Sequence, residues 1–172
     1  GEKETGATIM IMDAGMDTGD ILSQEKISID ENDTFPVLDQ KLASIGSTLL
    51  LETLPKYIAG KITPQKQDET QVTTCKKLSR DDGKIDWSKT TEEIYNLYRG
   101  TTPWPGIWTT LNGARVKLLE IIPGYEKLEP GLINCGEDWI AVGTGDGTIE
   151  ILKIQFEGKS ALDVNACLAG YW

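Results

Sequence analysis

The sequence predicts an α/β segment, made of a β-hairpin and a long helix, followed by a small β-barrel or β-sandwich with flanking helices. Three observations predict this order. An acidic turn at residues 13–20 separates two strand-like segments, apolar residues recur at helical spacing through residues 37–58, and short apolar segments alternate with turn residues from residue 107 onward. The 172 residues, 39% of them hydrophobic, can bury a core and allow one or two domains.

The predicted hairpin has strands at residues 7–12 and 21–29, which are rich in Ile, Met and Thr or alternate in polarity. A short loop on a rigid hairpin can hold a carboxylate at a fixed distance from a reacting atom. Asp17 lies deepest in this turn and is the catalytic candidate, whereas composition alone favours the alternative that aspartates simply form turns by bonding their own backbone. Five residues characterise the turn: Asp13, Gly15, Asp17, Gly19 and Asp20.

A long helix should follow the hairpin, with Pro36 near its first position and Gly60 after its end. The polar segment 61–74 contains little hydrophobicity and is the best candidate linker. The predicted organisation is therefore a first domain, a linker and a second domain, at residues 1–62, 63–74 and 75–172.

The second domain should open with a short helix at residues 91–99, which has Glu92 and Glu93 in its first turn. Asn112-Gly113 and Asp146-Gly147 are strong hairpin-turn signals, and the glycine-rich stretch 143–147 is a hairpin turn rather than a phosphate loop because it lacks the Lys-Ser/Thr ending. A closing helix is predicted at residues 160–170. The five predicted strands are at 107–111, 115–122, 131–135, 139–142 and 148–154.

Charge limits the possible partners of the chain. With a net charge of −10, the chain as a whole is not a polycation that would bind nucleic acid along its entire surface. The charge is uneven, however: residues 1–70 hold 6 basic and 13 acidic residues, whereas residues 71–172 hold 11 basic and 14 acidic residues. The second half is therefore the better candidate to meet an anion. A basic cluster there, Lys76, Lys77, Arg80, Lys84 and Lys89, could contact phosphates, although interleaved aspartates favour an ordinary solvated face. Trp104, between Pro103 and Pro105, could stack on a base, but plugging the end of a barrel is its default role.

Several site classes are absent from the sequence. Histidine does not occur, so this chain offers no imidazole acid–base chemistry and no His-ligated metal. Cys75, Cys135 and Cys167 form no CxxC pattern, which indicates reduced thiols in a cytoplasmic protein, with neither disulfides nor a metal. No segment resembles a membrane span or signal peptide, so no membrane partner is expected.

The chain lacks a starting methionine, and we expect the amino-terminal part of the natural protein to be missing.

Taken together, short segments along nearly the whole chain resemble the second part of the methionyl-tRNA formyltransferase family. The order and spacing of these segments agree with the family, whereas single pieces such as Asp-Trp would be weak signals. The matching segments are Gly6-Ala7-Thr8-Ile9-Met10, Met12 to Leu22 with its Asp-Ala-Gly-Met-Asp-Thr-Gly-Asp turn, Pro64, Gln67-Asp68, Thr73, Lys77-Leu78, Ile85-Asp86-Trp87, Pro103-Trp104-Pro105, Thr144-Gly145-Asp146-Gly147, Ile154-Gln155 and Gly158-Lys159.

The resemblance implies transfer of a formyl group from 10-formyltetrahydrofolate, as co-substrate and without a metal, to the amino group of methionyl-initiator tRNA. The family's catalytic set is an Asn, a His and an Asp, and the Asp corresponds to Asp17. Asp13, Gly15 and Met16 would belong to the folate loop. The Asn and His would belong to a Rossmann-like part preceding Gly1, so the chain alone is expected to be inactive.

The later portion resembles a carboxy-terminal barrel of the oligonucleotide-binding (OB) type that helps to hold the tRNA. The resemblance and the local charge together nominate six tRNA-binding residues: Lys76, Lys77, Arg80, Lys84, Arg115 and Lys117.

Two alternatives remain open. Sugar-nucleotide formyltransferases and 10-formyltetrahydrofolate dehydrogenase carry similar turns and linkers, although the ending 144–172 favours the tRNA enzyme. A non-catalytic RNA-binding module, in which Asp17 only forms a turn, is the alternative of another class. The full-length protein is expected to be a monomer, whereas the fragment would self-associate through an exposed sheet edge and an apolar helix face.

Overall fold

A two-stranded hairpin and a long helix dominate the first of two units in the computed structural model, which describes residues 1–171. The units are Glu2–Lys77 and the chain from Leu78 onward together with Gly1. In the first unit β1 (Glu4–Met10) pairs antiparallel with β2 (Ile21–Ser28), and both strands pack on α1 (Phe35–Ile58). The predicted hairpin and long helix are confirmed.

The ends of α1 follow from its sequence. Pro36 lies in the first turn, where its missing N–H costs nothing, and Gly60 takes a φ of 67° just after the end. One side of α1 faces the hairpin, and the hydroxyls of Thr53 and Ser23 lie 2.6 Å apart there. The side chains that stay exposed include a group of large apolar residues: Val37, Leu50, Leu51, Leu54, Tyr57 and Ile58.

The segment predicted as a linker returns to the hairpin within this first unit. The backbone groups of Gln65 and Ile21 exchange two hydrogen bonds, at 2.7 and 2.9 Å. A 3-10 turn follows at Glu69–Gln71, where Asp68 Oδ1 accepts from the backbone N–H of Thr70 at 3.0 Å. These hydrogen bonds fix residues 65–71 in place instead of leaving them freely extended.

The second unit is built on one antiparallel sheet. Its strand order is β3-β4-β7-β6-β5, and β8 pairs with β7. The predicted short helix and the five predicted strands are confirmed. After a 3-10 turn at Arg80–Gly83, its elements are α2 (Thr91–Thr101), β3 (Ile107–Leu111), β4 (Ala114–Gly124), β5 (Ile133–Cys135), β6 (Ile140–Gly143), β7 (Thr148–Phe156), β8 (Ala161–Asp163) and α3 (Val164–Tyr171).

The sheet is open rather than a closed barrel. Within the described part of the chain, no ladder joins β3 to β5, the two ends of the strand order. The short strand β5 pairs only with β6 along this path, over Ile133–Cys135. The predicted OB-like barrel is therefore not confirmed, whereas the predicted sheet with flanking helices is.

The predicted closing helix at 160–170 is wrong at its start. Residues Ala161–Asp163 form β8, whose backbone pairs with β7 from Lys153 to Gln155, and α3 begins only at Val164. Strand pairing to a partner already in place outweighs the weak helical preference of so short a segment. Trp172, the last residue of the predicted second domain, lies outside the described residues.

The core of the second unit is mainly aliphatic, and β-branched side chains suit the face of such a sheet. Trp87 packs against this core, and its indole Nε1 donates to Thr109 Oγ1 at 3.1 Å, so Trp87 has a structural role. The buried members of the core are Ile85, Ile94, Ile107, Val116, Leu118, Ile121, Ile140, Val142, Ile149, Ile151, Ile154 and Cys167.

The turn from Thr144 to Gly147 connects β6 to β7 and also caps α2. Thr144 N donates to Gly147 O at 2.9 Å, and Gly147 N donates to Thr144 Oγ1 at 3.0 Å, which confirms the predicted hairpin turn. Asp146 Oδ1 accepts from the N–H of Thr91 at 2.8 Å, and this hydrogen bond lowers the pKa of Asp146. Gly145 lies so close to the loop before α2 that a Cβ on it would be 2.4 Å from Ser88 O.

The substitution Thr144→Val tests how much the turn from Thr144 to Gly147 contributes to stability. Thr144 is 2% exposed, so valine would fill the same space but leave the buried N–H of Gly147 without its acceptor. The free energy of unfolding should fall by about 1–3 kcal/mol in urea titrations. Thr110→Val, at an exposed position of β3, is the matched control and should change it by less than about 0.5 kcal/mol. Equal stabilities of the two variants would contradict the expectation.

Candidate functional site

The acidic turn of the first unit is held in one shape by its own side chains. Asp13 Oδ1 accepts from the N–H of Gly15 at 3.0 Å and from the hydroxyl of Thr18 at 2.7 Å. Gly19 is required at its position because a Cβ would lie only 1.6 Å from Ile11 O. Asp13 therefore shapes the turn.

Asp17 differs from Asp13 in having an uncommitted carboxylate. Its φ of 57° lies in the left-handed region, which aspartate tolerates better than most residues. The side chain is exposed, and no described residue donates a hydrogen bond to its carboxylate oxygens. A carboxylate on a fixed backbone and without a structural partner can accept a proton or orient an incoming cationic group.

Gln67 fixes the backbone on which Asp17 sits. Its Nε2 donates to Asp17 O and to Gly19 O, both at 2.8 Å. One amide group thereby satisfies two carbonyls of a turn 48 to 50 residues away in sequence. Local sequence pattern does not predict this contact, because a glutamine in a polar segment does not indicate which distant carbonyls it will meet; Gln67 stood out only within the Gln67-Asp68 match to the family.

A cavity of about 660 Å³ opens beside the turn, within the first unit. This volume is in the range of about 300–1,000 Å³ that small-molecule sites occupy. Asp17 and Met16 line it, whereas Asp13 and Gly15 do not, and the Met16 side chain is 88% exposed. Its lining residues are Met16, Asp17, Thr18, Asp20, Lys66, Gln67, Glu69, Gln71, Val72, Thr73, Thr74 and Cys75.

The second unit has a basic and aromatic hollow of about 320 Å³, called here the Trp104 pocket. Trp104 is 55% exposed, so the expectation that it plugs the end of a barrel is wrong. The neighbouring Trp108 is buried and donates from Nε1 to Arg80 O at 2.8 Å. The pocket is lined by Arg80, Trp104, Pro105, Trp108, Arg115, Lys117, Gln155, Phe156, Glu157 and Gly158.

The nominated tRNA-binding residues divide into two groups. Arg80, Arg115 and Lys117 line the Trp104 pocket, and Lys84 Nζ lies 5.8 Å from the ring centroid of Trp108. None of these four cations forms an ion pair with a carboxylate of the described residues. By contrast, Lys76 and Lys77 belong to the first unit and are not among the residues that line the pocket.

Other kinds of site find no support in the described residues. Within residues 1–171, no three His, Cys, Asp or Glu side chains cluster in a way that could hold a metal ion. No helix of this part of the chain combines the length and the apolar composition needed to cross a bilayer.

Comparison with known proteins assigns both parts of the chain to one family. The family model described as "Formyl transferase, C-terminal domain" matches residues 77–171, and the model "Formyl transferase" matches residues 1–54. The chain belongs to the formyltransferase family. Its acidic turn and its six-stranded sheet are therefore parts of a formyltransferase fold.

The formyltransferase relatives include methionyl-tRNA formyltransferases of two bacteria. The protein of Thermodesulfovibrio yellowstonii is 42% identical over 172 residues, and that of Geobacter metallireducens is 41% identical over 171 residues. Each alignment covers 99% of this chain but 55% of the relative. The chain thus spans about half the length of the curated relatives it matches.

Solved structures share the fold at lower sequence identity. HypX from Aquifex aeolicus in complex with tetrahydrofolic acid has a TM-score of 0.73 at 21% identity, covering 98% of this chain and 30% of that chain. An N-formyltransferase from Helicobacter canadensis, in complex with folinic acid and dTDP-3-aminofucose, has a TM-score of 0.69 at 24% identity, covering 87% and 55%. These likenesses show a common fold.

Replacing Gln67 by leucine tests how the turn is held. The Gln67→Leu variant loses both donors to the turn carbonyls, so the loop should open more often. The amide of Ile11, which donates to Asp20 O, should exchange its hydrogen about fivefold faster, as the loss of about 1 kcal/mol implies. Gln40→Leu, on the exposed side of α1, is the control. An unchanged exchange rate in the Gln67 variant would contradict this account.

Proposed function

We propose that this chain contributes the aspartate-bearing turn and the carboxy-terminal domain to a cytoplasmic enzyme that formylates methionyl-initiator tRNA. The observation that carries the proposal is the uncommitted carboxylate of Asp17, which lines a cavity of about 660 Å³ while Gln67 holds the backbone carbonyl of the same residue. Relatives named methionyl-tRNA formyltransferase, 42% and 41% identical along 99% of the chain, support the choice of acceptor.

The proposed reaction transfers a formyl group from N10 of 10-formyltetrahydrofolate to the α-amino group of the methionyl ester. The amine nitrogen bonds to the formyl carbon, the bond from that carbon to N10 breaks, and a proton passes from the amine to N10. The attack needs a neutral amine and places negative charge on the formyl oxygen. The reaction therefore needs a proton acceptor and a hydrogen-bond donor at fixed positions.

Asp17 supplies the anionic member of this set. The family resemblance pairs it with an Asn and a His, and this chain contains no histidine. We therefore assign the imidazole to a part of the protein outside these 172 residues, where Asp17 would orient it and stabilise its protonated form. In this proposal the catalytic residues come from two parts of the protein. The turn must then be rigid, because a carboxylate that moved could not hold the imidazole in one orientation.

The folate co-substrate is assigned to the cavity beside the turn. Met16 presents an exposed, polarisable thioether there, which suits contact with an aromatic ring. Asp13 and Gly15 act through the shape of the loop, because they do not line the cavity. No metal enters the proposed chemistry.

We assign tRNA binding to the second unit. We propose that its open six-stranded sheet is an OB-like barrel variant, a fold class that binds oligonucleotides on one face. Arg80, Lys84, Arg115 and Lys117 are close to Trp108 or line the pocket beside it, and none is neutralised by a described carboxylate. This local charge can attract phosphates even though the chain as a whole carries −10.

Formylation assays test the catalytic assignment. The 172-residue chain alone should show no turnover, because it lacks an imidazole. In the full-length gene product, Asp17→Asn should lower kcat/KM by about 10²–10⁴-fold, the usual contribution of a positioned acid–base group. Asp39→Asn, at an exposed position of α1, is the control and should change kcat/KM by less than twofold. Turnover by the short chain, or an unaffected Asp17 variant, would refute the assignment.

Filter binding in rising salt tests the tRNA assignment. Affinity of the chain for methionyl-initiator tRNA should fall as salt increases, and Lys117→Ala should reduce the slope of log K against log salt by about 0.7–0.9, the value of one phosphate contact. Lys127→Ala removes an exposed cation outside the pocket and should not change the slope. A slope near zero for the wild-type chain would exclude tRNA binding by this part of the protein.

A further inference from the structure

We propose that the Trp104 pocket binds one unpaired nucleotide of an RNA strand, with the base stacked on Trp104 and the phosphates contacting Arg80, Arg115 and Lys117. The inference rests on the proposed function, which supplies a tRNA as the partner. It goes further by assigning a specific contact, in which a single base that is not paired within a duplex occupies the Trp104 pocket.

Trp104 has the features of a stacking platform. Its side chain is 55% exposed, although an indole is among the largest apolar surfaces a protein can bury. Pro103 and Pro105 flank it, and proline restricts backbone rotation, so little conformational entropy is lost when a ligand stacks there. Gly106 N donates to Thr101 O at 2.9 Å and closes the loop that carries the ring.

A second indole, that of Trp108, positions one of the three cations of the pocket. Trp108 is itself fixed by its bond to Arg80 O, and Arg115 Cζ lies 4.0 Å from the centroid of its ring. Such a contact holds the guanidinium in one orientation. No described residue accepts a hydrogen bond from the Arg115 side chain, so its N–H groups remain available for a phosphate.

The charge and size of the pocket favour one nucleotide. Three cations and one carboxylate, Glu157, line it, in a chain whose net charge is −10. Gln155 adds a polar group: its Nε2 donates to Lys159 O at 3.0 Å, which leaves its carbonyl oxygen as an acceptor for a base edge. A hollow of about 320 Å³ is at the lower end of ligand-site volumes, as a single base with its phosphate requires.

The pocket should also distinguish unpaired from paired RNA, because it can stack only on a base whose face is accessible. In an A-form duplex the faces of the bases are covered by their neighbours, so only the backbone and the groove edges are accessible. Stacking on Trp104 therefore adds affinity for unstacked bases in loops, bulges and single-stranded ends. The cations, in contrast, attract both forms of RNA.

The test compares an unstructured, fluorescently labelled 12-nucleotide RNA with a fully paired RNA duplex, using fluorescence anisotropy on the 172-residue chain at constant salt. Trp104→Ala should weaken binding of the single strand by about 5- to 100-fold and of the duplex by less than twofold. Trp104→Phe, which keeps an aromatic face, should retain most of the single-strand affinity. Tyr125→Ala removes a 96% exposed ring outside the pocket and is the matched control.

The charged half of the pocket has its own variant. Arg115→Lys keeps the charge but loses the planar guanidinium stacked on Trp108, and it should weaken single-strand binding more than duplex binding. Circular dichroism melts should show that all variants remain folded, since Trp104 contributes little to the core.

Two outcomes would overturn the inference in distinguishable ways. If Trp104→Ala leaves single-strand binding unchanged, or weakens single strand and duplex equally, while salt-dependent tRNA binding persists, the stacking pocket is wrong and the tRNA assignment stands. If the wild-type chain binds neither RNA nor tRNA at any salt concentration, both are wrong.

Discussion

The strand β7 is the constraint on which the second unit depends. It pairs with β4 along one edge and with β6 and then β8 along the other. Ile149, Ile151 and Ile154 place three buried side chains of the core on this one strand. The turn that caps α2 precedes it, and Gln155 and Phe156 at its end line the Trp104 pocket. Because a shift of register by one residue would turn the core face outward, helix and pocket are fixed by the same pairing.

Two turns rich in aspartate and glycine have opposite uses in this protein. In the turn before β7 the carboxylate of Asp146 is committed to the N–H of Thr91, and its role is structural. In the turn between β1 and β2 the structural work falls to Asp13 and to Gln67, which leaves Asp17 free. A carboxylate becomes available for chemistry when other groups hold the backbone beneath it. The contact pattern, rather than the composition of the turn, separates the two cases.

Local pattern was sufficient to predict the hairpin, the long helix and five of the strands, because periodicity and turn residues act over a few neighbours. Contacts between distant segments were not predictable in this way. The strand β8 forms only because β7 offers it an edge, and Gln67 reaches a turn about 50 residues earlier. Likewise, the sequence nominated Arg80 and Arg115 separately, but only the folded sheet brings both to the side of Trp108.

Two of the three cysteines, Cys167 and Cys75, differ sharply in their accessibility to thiol reagents. Cys167 is fully buried in the core, and burial raises the pKa of its thiol, so little of it is in the reactive thiolate form at neutral pH. Cys75 is exposed and lines the cavity that also contains Asp17. A thiol-directed alkylating reagent therefore meets an accessible sulfur at the candidate folate site, where an attached label would occupy the space that the co-substrate needs.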